Sequence, residues 1–178
     1  WGRGLGILYA SIFCLHLLLM AAFTAIPVIM VDHIGLPTDD HAWVYLLTLC
    51  AAIPGVVLLV RRRRTMEDPR PLLALTVVLT VTGLIAALWS TSVLALGASL
   101  VAFFAGFTAL ETILPALVSA FAPVTLRGTA MGIFSSAQFL GVFTGGALGG
   151  NALHWGGAAL LALLLVCLSL LWLAGLWR

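Results

Sequence analysis

The chain has no lysine and little charge of either sign. Its 178 residues carry eight basic side chains, every one arginine, and six acidic ones, 8% charged in all. Soluble domains hold about 25%. So little polar surface excludes a water-exposed globule of this length. Cysteine is scarce too. Cys14, Cys50 and Cys167 fall in apolar runs without CxxC spacing, which excludes a disulfide framework and a zinc site. There is no P-loop, no GxGxxG strand–helix unit and no nucleophile–base constellation. An ATP-driven pump, a dinucleotide enzyme or any other catalyst therefore has no support, and no cofactor, metal or nucleic-acid partner is expected. The stretch "DHIGLPTDDH" at 32–41 contains metal-ligand residue types but reads as a solvated loop.

What the chain has is apolar length. It is 63% hydrophobic with a mean hydropathy of +1.22. The runs are long and do not alternate, which selects helices over a barrel as the way to satisfy backbone groups in lipid. The expected fold is an all-α integral membrane protein with six transmembrane helices, at about 5–31, 42–60, 71–89, 93–121, 128–150 and 157–177, each near the roughly 20 residues a bilayer needs. Residues 1–178 form one transmembrane domain in this reading. Because the first residue is Trp1, the chain is expected to be a fragment. The run after Arg3 is too long for a signal peptide and contains His16. In a six-span chain, Arg3, Arg61 to Arg64, Arg70, Arg127 and Arg178 all fall on one side, and Asp32, Asp39 and Asp40 on the other. The positive-inside rule then places both termini in the cytoplasm. The "RRRR" run reads as a topology anchor, with anionic lipid a secondary contact.

The six spans read as two sets of three. The first of each set carries an ionisable residue, His16 or Glu111, and an internal proline, Pro27 or Pro115. Three spans followed by three makes two inverted three-helix repeats. Interrupted helices at corresponding places in inverted halves point to a transporter site near the midplane. The third span of each set is blandly apolar and is expected to face lipid. Glu111 is the only charged residue between Arg70 and Arg127. A charge at the bilayer centre costs about 2.5–3.5 kcal/mol on insertion scales, so a carboxylate kept there is functional by default. Pro115 also lacks the N–H that would bond the carbonyl of Glu111. Glu111 and His16 are the candidates for proton coupling, since histidine can relay protons near neutral pH. Two stripes at helical spacing accompany them. Tyr9, Phe13, His16, Met20 and Phe23 recur along the first span; Phe104, Phe107, Thr108 and Glu111 share a face of the fourth. Aromatic and Met side chains suit an adaptable substrate cavity, although they are equally the residues of helix packing. Gln138 is counted with the substrate cavity, and with Ser135 and Ser136 it is able to bond a neighbouring helix or a ligand. In the fifth span Gly141, Gly145 and Gly149 are four apart, as are Gly146 and Gly150. Small residues at that spacing let helices approach closely.

Two stretches carry a resemblance. "IFCLHLLLMAAFTAIP", 12–27, resembles the seventh helix of YajR-type transporters of the major facilitator superfamily. "ETILPALVSAFAPVTLRGTAMGIFSSAQFLGVFTGGALGG", 111–150, resembles their tenth and eleventh helices, with "GTAMGIFSSAQFLG" the more specific part. The resemblance runs through nearly the whole chain in order and implies the C-terminal six-helix half of such a fold. It implies proton-driven antiport, a drug-efflux-like export of hydrophobic or cationic small molecules across the bacterial inner membrane. It also implies a pore shared with an N-terminal six-helix half, the first and fourth helices lining it and the fifth, with its glycines, packing on that other half. The segment 61–70 lacks the full G-x-x-x-D-R-x-G-R signature of the equivalent loop in the other half. Some relatives continue into a soluble C-terminal domain. Two rivals come from other classes: a self-contained six-helix membrane protein acting as a homodimer, and an intramembrane enzyme or assembly factor.

Overall fold

The computed structural model describes residues 2–177, with side chains from Gly4 onward. Trp1, the Arg3 side chain and Arg178 lie outside that description, so two of the eight arginines used for orientation are not placed. The described residues form five long apolar helices and no strand. They are α1 (Gly2–Val28), α2 (His41–Arg64), α3 (Arg70–Leu88), α4 (Val93–Phe121) and α5 (Arg127–Leu176).

The ends of these helices follow local chemistry. Pro27 lies in the last turn of α1, which widens into a π-turn at Ile29–His33. Gly35, at φ +72°, closes it: Leu36 N–H reaches back to the Met30 carbonyl at 2.8 Å, the wrap that a left-handed glycine permits. Ser92 caps α4 by accepting the Ala95 N–H at 3.2 Å. The arginine run 61–64 was expected in a connection but forms the last turn of α2. Cations are favourable at a helix C-terminus, by about 0.3–1 kcal/mol each.

α5 departs most from the sequence reading. It holds 50 residues, about 75 Å at 1.5 Å per residue, against a hydrocarbon core of about 30 Å. The stretch "NALHW", 151–155, was expected to be a loop and is helical. It contains no breaker, and Asn151 folds its side-chain amide onto the Ala147 carbonyl at 2.8 Å. The break falls at Gly157 alone (φ 62°, ψ −159°), a conformation essentially limited to glycine. Contacts with α1 show what this break does. Gly141, Gly145 and Gly149 meet Phe13, Leu17 and Ala21 in ascending order, so the first arm runs parallel to α1. Beyond Gly157 the order inverts: Trp172 bonds Ser11, and Leu176 lines a cavity with Gly4 and Leu8. The second arm therefore runs back along α1.

α4 is the other hub. α2 lies parallel to it, with Thr48 near Gly97 and Gly55 near Ala105. α3 lies antiparallel, with Gly83 against Ser99 and Phe103, and Gly106 against Thr76 and Thr80. The two hubs meet each other along one seam. The core is leucine-rich, with Ile12, Leu15, Leu18, Leu100, Leu110 and Leu114 fully buried. α3, bland in composition, buries one face against α4 and leaves Leu75 and Val78 of the other exposed. α2 is the most exposed span, 11% buried over its apolar window. Only Thr48, Ala52 and Leu59 of α2 are buried.

The helix directions gather the charges. A cavity of about 490 Å³ is lined by Gly4, Leu8, Glu67, Asp68, Arg70, Leu117, Phe121 and Leu176. The start of α1, the start of α3 and the ends of α4 and α5 thus share one end of the molecule. Arg63 and Arg64 join Ala116 and Ala120 nearby, and Arg127 follows α4 after one short turn. Asp32, Asp39 and Asp40 lie in the connection at the far end of α1.

Candidate functional site

Three side chains from three helices converge where the hubs meet. His16 on α1 is 5% exposed. Its Nδ1–H donates to the carbonyl of Ile12 at 3.2 Å, which leaves Nε2 as an acceptor. Gln138, on the first arm of α5, donates its side-chain amide to that Nε2 at 2.8 Å. The same amide nitrogen lies 3.4 Å from Glu111 Oε1 on α4. Glu111 Oε2 stands 3.6 Å from His16 Nε2, and it is buried with no hydrogen-bond partner. The Glu111 side chain as a whole keeps 36% of its surface. One carboxylate, one imidazole and one amide thus share a single point inside an otherwise apolar bundle.

Local sequence explains the convergence. His16 and Ile12 are four apart on α1, so the imidazole folds onto its own helix. Gly141, one turn beyond Gln138, meets the Phe13 carbonyl. Only a residue without a side chain lets α5 come that close, and this approach brings Gln138 within reach of His16. On α4, Phe107 sits one turn before Glu111 and meets the imidazole edge-on, at 5.6 Å and 65°. Phe103 stacks beneath Phe107 at 5.9 Å, so an aromatic column backs the polar group.

The remaining candidates are spread more widely. Tyr9, Phe13 and Met20 are half-buried along α1, as is Thr108 on α4. Phe104 is buried beside Phe103. Phe23 is exposed and stacks on Tyr45 of α2 at 5.3 Å and 25°. Gly141, Gly145 and Gly149, expected to pack on the other half, instead pack on the backbone of α1, the helix they run beside, whereas Gly146 and Gly150 face open space. Sequence reasoning missed several partners. Tyr45 and Phe103 are ordinary aromatics in apolar runs. The Trp172 indole N–H donates to Ser11 Oγ at 2.9 Å, across 161 residues. Gly83 and Gly106 make approaches as close as those of α5, but each is a lone glycine without a repeat to betray it. Among the described residues, no three His, Cys, Asp or Glu side chains gather as a metal site would need.

No protein-family model matches the chain. Curated proteins do. Over 144 residues, 79% of its length, the chain is 38% identical to the inner membrane transport protein YajR of Escherichia coli (strain K12), covering 31% of that protein. It is 31% identical over 140 residues, 77% of its length, to an uncharacterized transporter of Buchnera aphidicola subsp. Acyrthosiphon pisum, covering 35% of it. A shorter match, 52% over 48 residues, joins it to an uncharacterized transporter of Buchnera aphidicola subsp. Baizongia pistaciae, covering 12% of that protein and 27% of this chain. The chain thus spans about a third of the length of the two relatives it matches most broadly. The apolar helices and these kinships agree with the resemblance carried by residues 12–27 and 111–150: the chain is a multi-pass inner-membrane protein, similar over most of its length to part of a YajR-type transporter.

Proposed function

We propose that the chain forms the C-terminal half of a proton-coupled secondary transporter of the major facilitator kind, with Glu111 and His16 as the group that takes up and releases the proton. The observation that carries this reading is the pairing itself. The ionisable residues of the two hub helices, 95 positions apart in sequence, lie 3.6 Å from one another, and about a third of the Glu111 side chain is exposed. Intramembrane carboxylates and histidines mark ion and proton pathways.

The packing supports six crossings in two inverted triplets. Take α1, α2 and α3 as one triplet, and α4 with the two arms of α5 as the other. α1 packs parallel to the second member of the opposite triplet and antiparallel to its third. α4 does the same with α2 and α3. Each first helix thus finds its neighbours in the other triplet, as a two-fold exchange of the halves requires. The exposed apolar faces of α2 (Leu47, Ile53, Leu58) and of the first arm of α5 (Ile133, Phe139, Phe143) are the surfaces left for an N-terminal half and for lipid. Phe13, Met20 and Phe107 are half-buried and Phe23 is exposed; such side chains suit hydrophobic or cationic small molecules, a cation being drawn to aromatic faces. Moving one charge through 100 mV is worth about 2.3 kcal/mol, enough to drive uphill export.

The test is transport by the full-length protein in proteoliposomes with an imposed pH gradient and a panel of lipophilic cations. Glu111→Gln keeps size and shape but cannot exchange a proton. It should abolish pH-driven accumulation while the protein still inserts and folds, and Glu111→Asp should keep part of it. Uphill transport by Glu111→Gln at the wild-type rate would make the carboxylate structural and move coupling elsewhere.

A further inference from the structure

A buried carboxylate oxygen without a partner is left desolvated at a cost, and Glu111 Oε2 is such an atom. It stands 3.6 Å from an imidazole nitrogen that would bond it if that nitrogen carried hydrogen. The nitrogen carries none, because it accepts the Gln138 amide at 2.8 Å. We propose that Gln138 is a positioning residue that sets which nitrogen of His16 is free to take the proton and holds His16 and Glu111 out of direct contact until it arrives. The inference rests on the proton-coupling reading above and assigns Gln138 a part beyond lining a cavity.

The donor and acceptor inventory leaves two consistent arrangements. In the first, seen here, the Gln138 NH₂ group points inward. One hydrogen goes to His16 Nε2 and the other toward Glu111 Oε1 at 3.4 Å. This arrangement fits a neutral imidazole with its hydrogen on Nδ1, donated to Ile12, and an ionised carboxylate. In the second, a proton sits on Nε2. The NH₂ group would then oppose another N–H, so the amide must turn and present its oxygen, or withdraw. Turned inward, that oxygen accepts from Nε2–H, and it accepts from Glu111 only if Glu111 is itself protonated. Withdrawn, it frees Nε2–H to donate to the waiting Oε2. No atoms are exchanged beyond the proton, which comes from water on the open side.

The other helices packed against α1 bring nothing ionisable to this point. α5 supplies the amide, and its residues from 128 to 150 include no Asp, Glu, Lys, Arg, His, Cys or Tyr; α3 holds only Arg70, at its first turn. Glu111 of α4 is the one charged group facing the imidazole. Gln138 is also tied to helix position, because Gly141 one turn on touches the α1 backbone. Turning or withdrawing the amide therefore acts where α1 and α5 meet.

The experiment is ¹⁵N NMR of histidine-labelled full-length transporter in nanodiscs, with the His16 signal assigned by its loss in His16→Asn. Wild type at high pH should show His16 almost wholly as the Nδ1–H tautomer. In Gln138→Leu the tautomer ratio should shift toward Nε2–H by about tenfold, the equivalent of about 1.4 kcal/mol and so of one lost hydrogen bond. pH-driven accumulation should fall by a similar factor. Gln138→Met, unbranched and closer in length, serves if the leucine variant does not fold. An unchanged tautomer ratio in a folded Gln138 variant overturns the proposal, whatever transport does. Should the ratio shift while Glu111→Gln still pumps at the wild-type rate, the positioning role stands and the coupling reading falls.

Discussion

Alanine in place of a helical glycine normally stabilises a helix by about 0.8–1 kcal/mol. At Gly145 the sign should reverse. A Cβ there would run into the Leu17 carbonyl, whereas at Gly175 it would meet nothing within 4 Å. Gly145→Ala is expected to lose roughly 1–3 kcal/mol, as overpacked cores do, and Gly175→Ala to gain slightly. Thermal unfolding of the full-length protein in detergent reads both, and equal behaviour would remove the close contact. Ser11→Ala tests a second point of contact. It leaves the buried Trp172 indole N–H without its acceptor. Interhelical hydrogen bonds in membranes average about 0.6 kcal/mol and reach about 1.7, so a loss in that range is expected, with partial rescue by Ser11→Thr. No measurable change would mean that the pair contributes little. At this scale the sequence was readable where a residue broke its background. Glu111 and His16 stand out because everything around them is apolar. Two glycine rows shared the four-residue spacing, and only the structure tells the row that touches α1 from the one that does not. Gln138 was visible as a polar residue, but its partners lie 122 and 27 positions away, and no local pattern encodes that meeting.

Helices were legible from apolar length, and their ends less so. The π-turn after Pro27 and the cap at Ser92 sit where proline and serine signals place a boundary. The end of α2 does not, because four arginines are good helix formers and nothing after Val60 stops the helix until Thr65. Pro54, a third intrahelical proline, passed unnoticed inside α2. The reversal in α5 was expected across a five-residue loop, yet it is carried by a single glycine. That concentration is testable. Gly157→Ala puts a Cβ at a backbone angle costing about 1–3 kcal/mol, while Gly150→Ala, helical with nothing within 4 Å, should be neutral or better. If both variants unfold at the wild-type temperature, Gly157 is not the pivot. The relative burial of α2 and α3 was not legible, since both are uniformly apolar and burial depends on which neighbours arrive.

The whole molecule is polar in one sense only. Arg61 to Arg64, Arg70 and Arg127 gather at one end and Asp32, Asp39 and Asp40 at the other. The sequence shows this segregation once the spans are counted, because each crossing must alternate it. Single cysteines at Thr65 and Thr38, in a background without Cys14, Cys50 and Cys167, should therefore label from opposite faces of the membrane. Reaction of both with one impermeant reagent added outside would refute the arrangement. How the helices choose their neighbours was not written in any local pattern, since α1 is packed chiefly by α5, far from it in the chain. That choice sets a timetable. At about 5–20 residues per second, the 128 residues between Leu17 and Gly145 take about 6–26 s to synthesise. For that interval α1 waits in the bilayer with its close-packing face uncovered, and the His16 ring has little to bond beyond the carbonyl of Ile12 on its own helix.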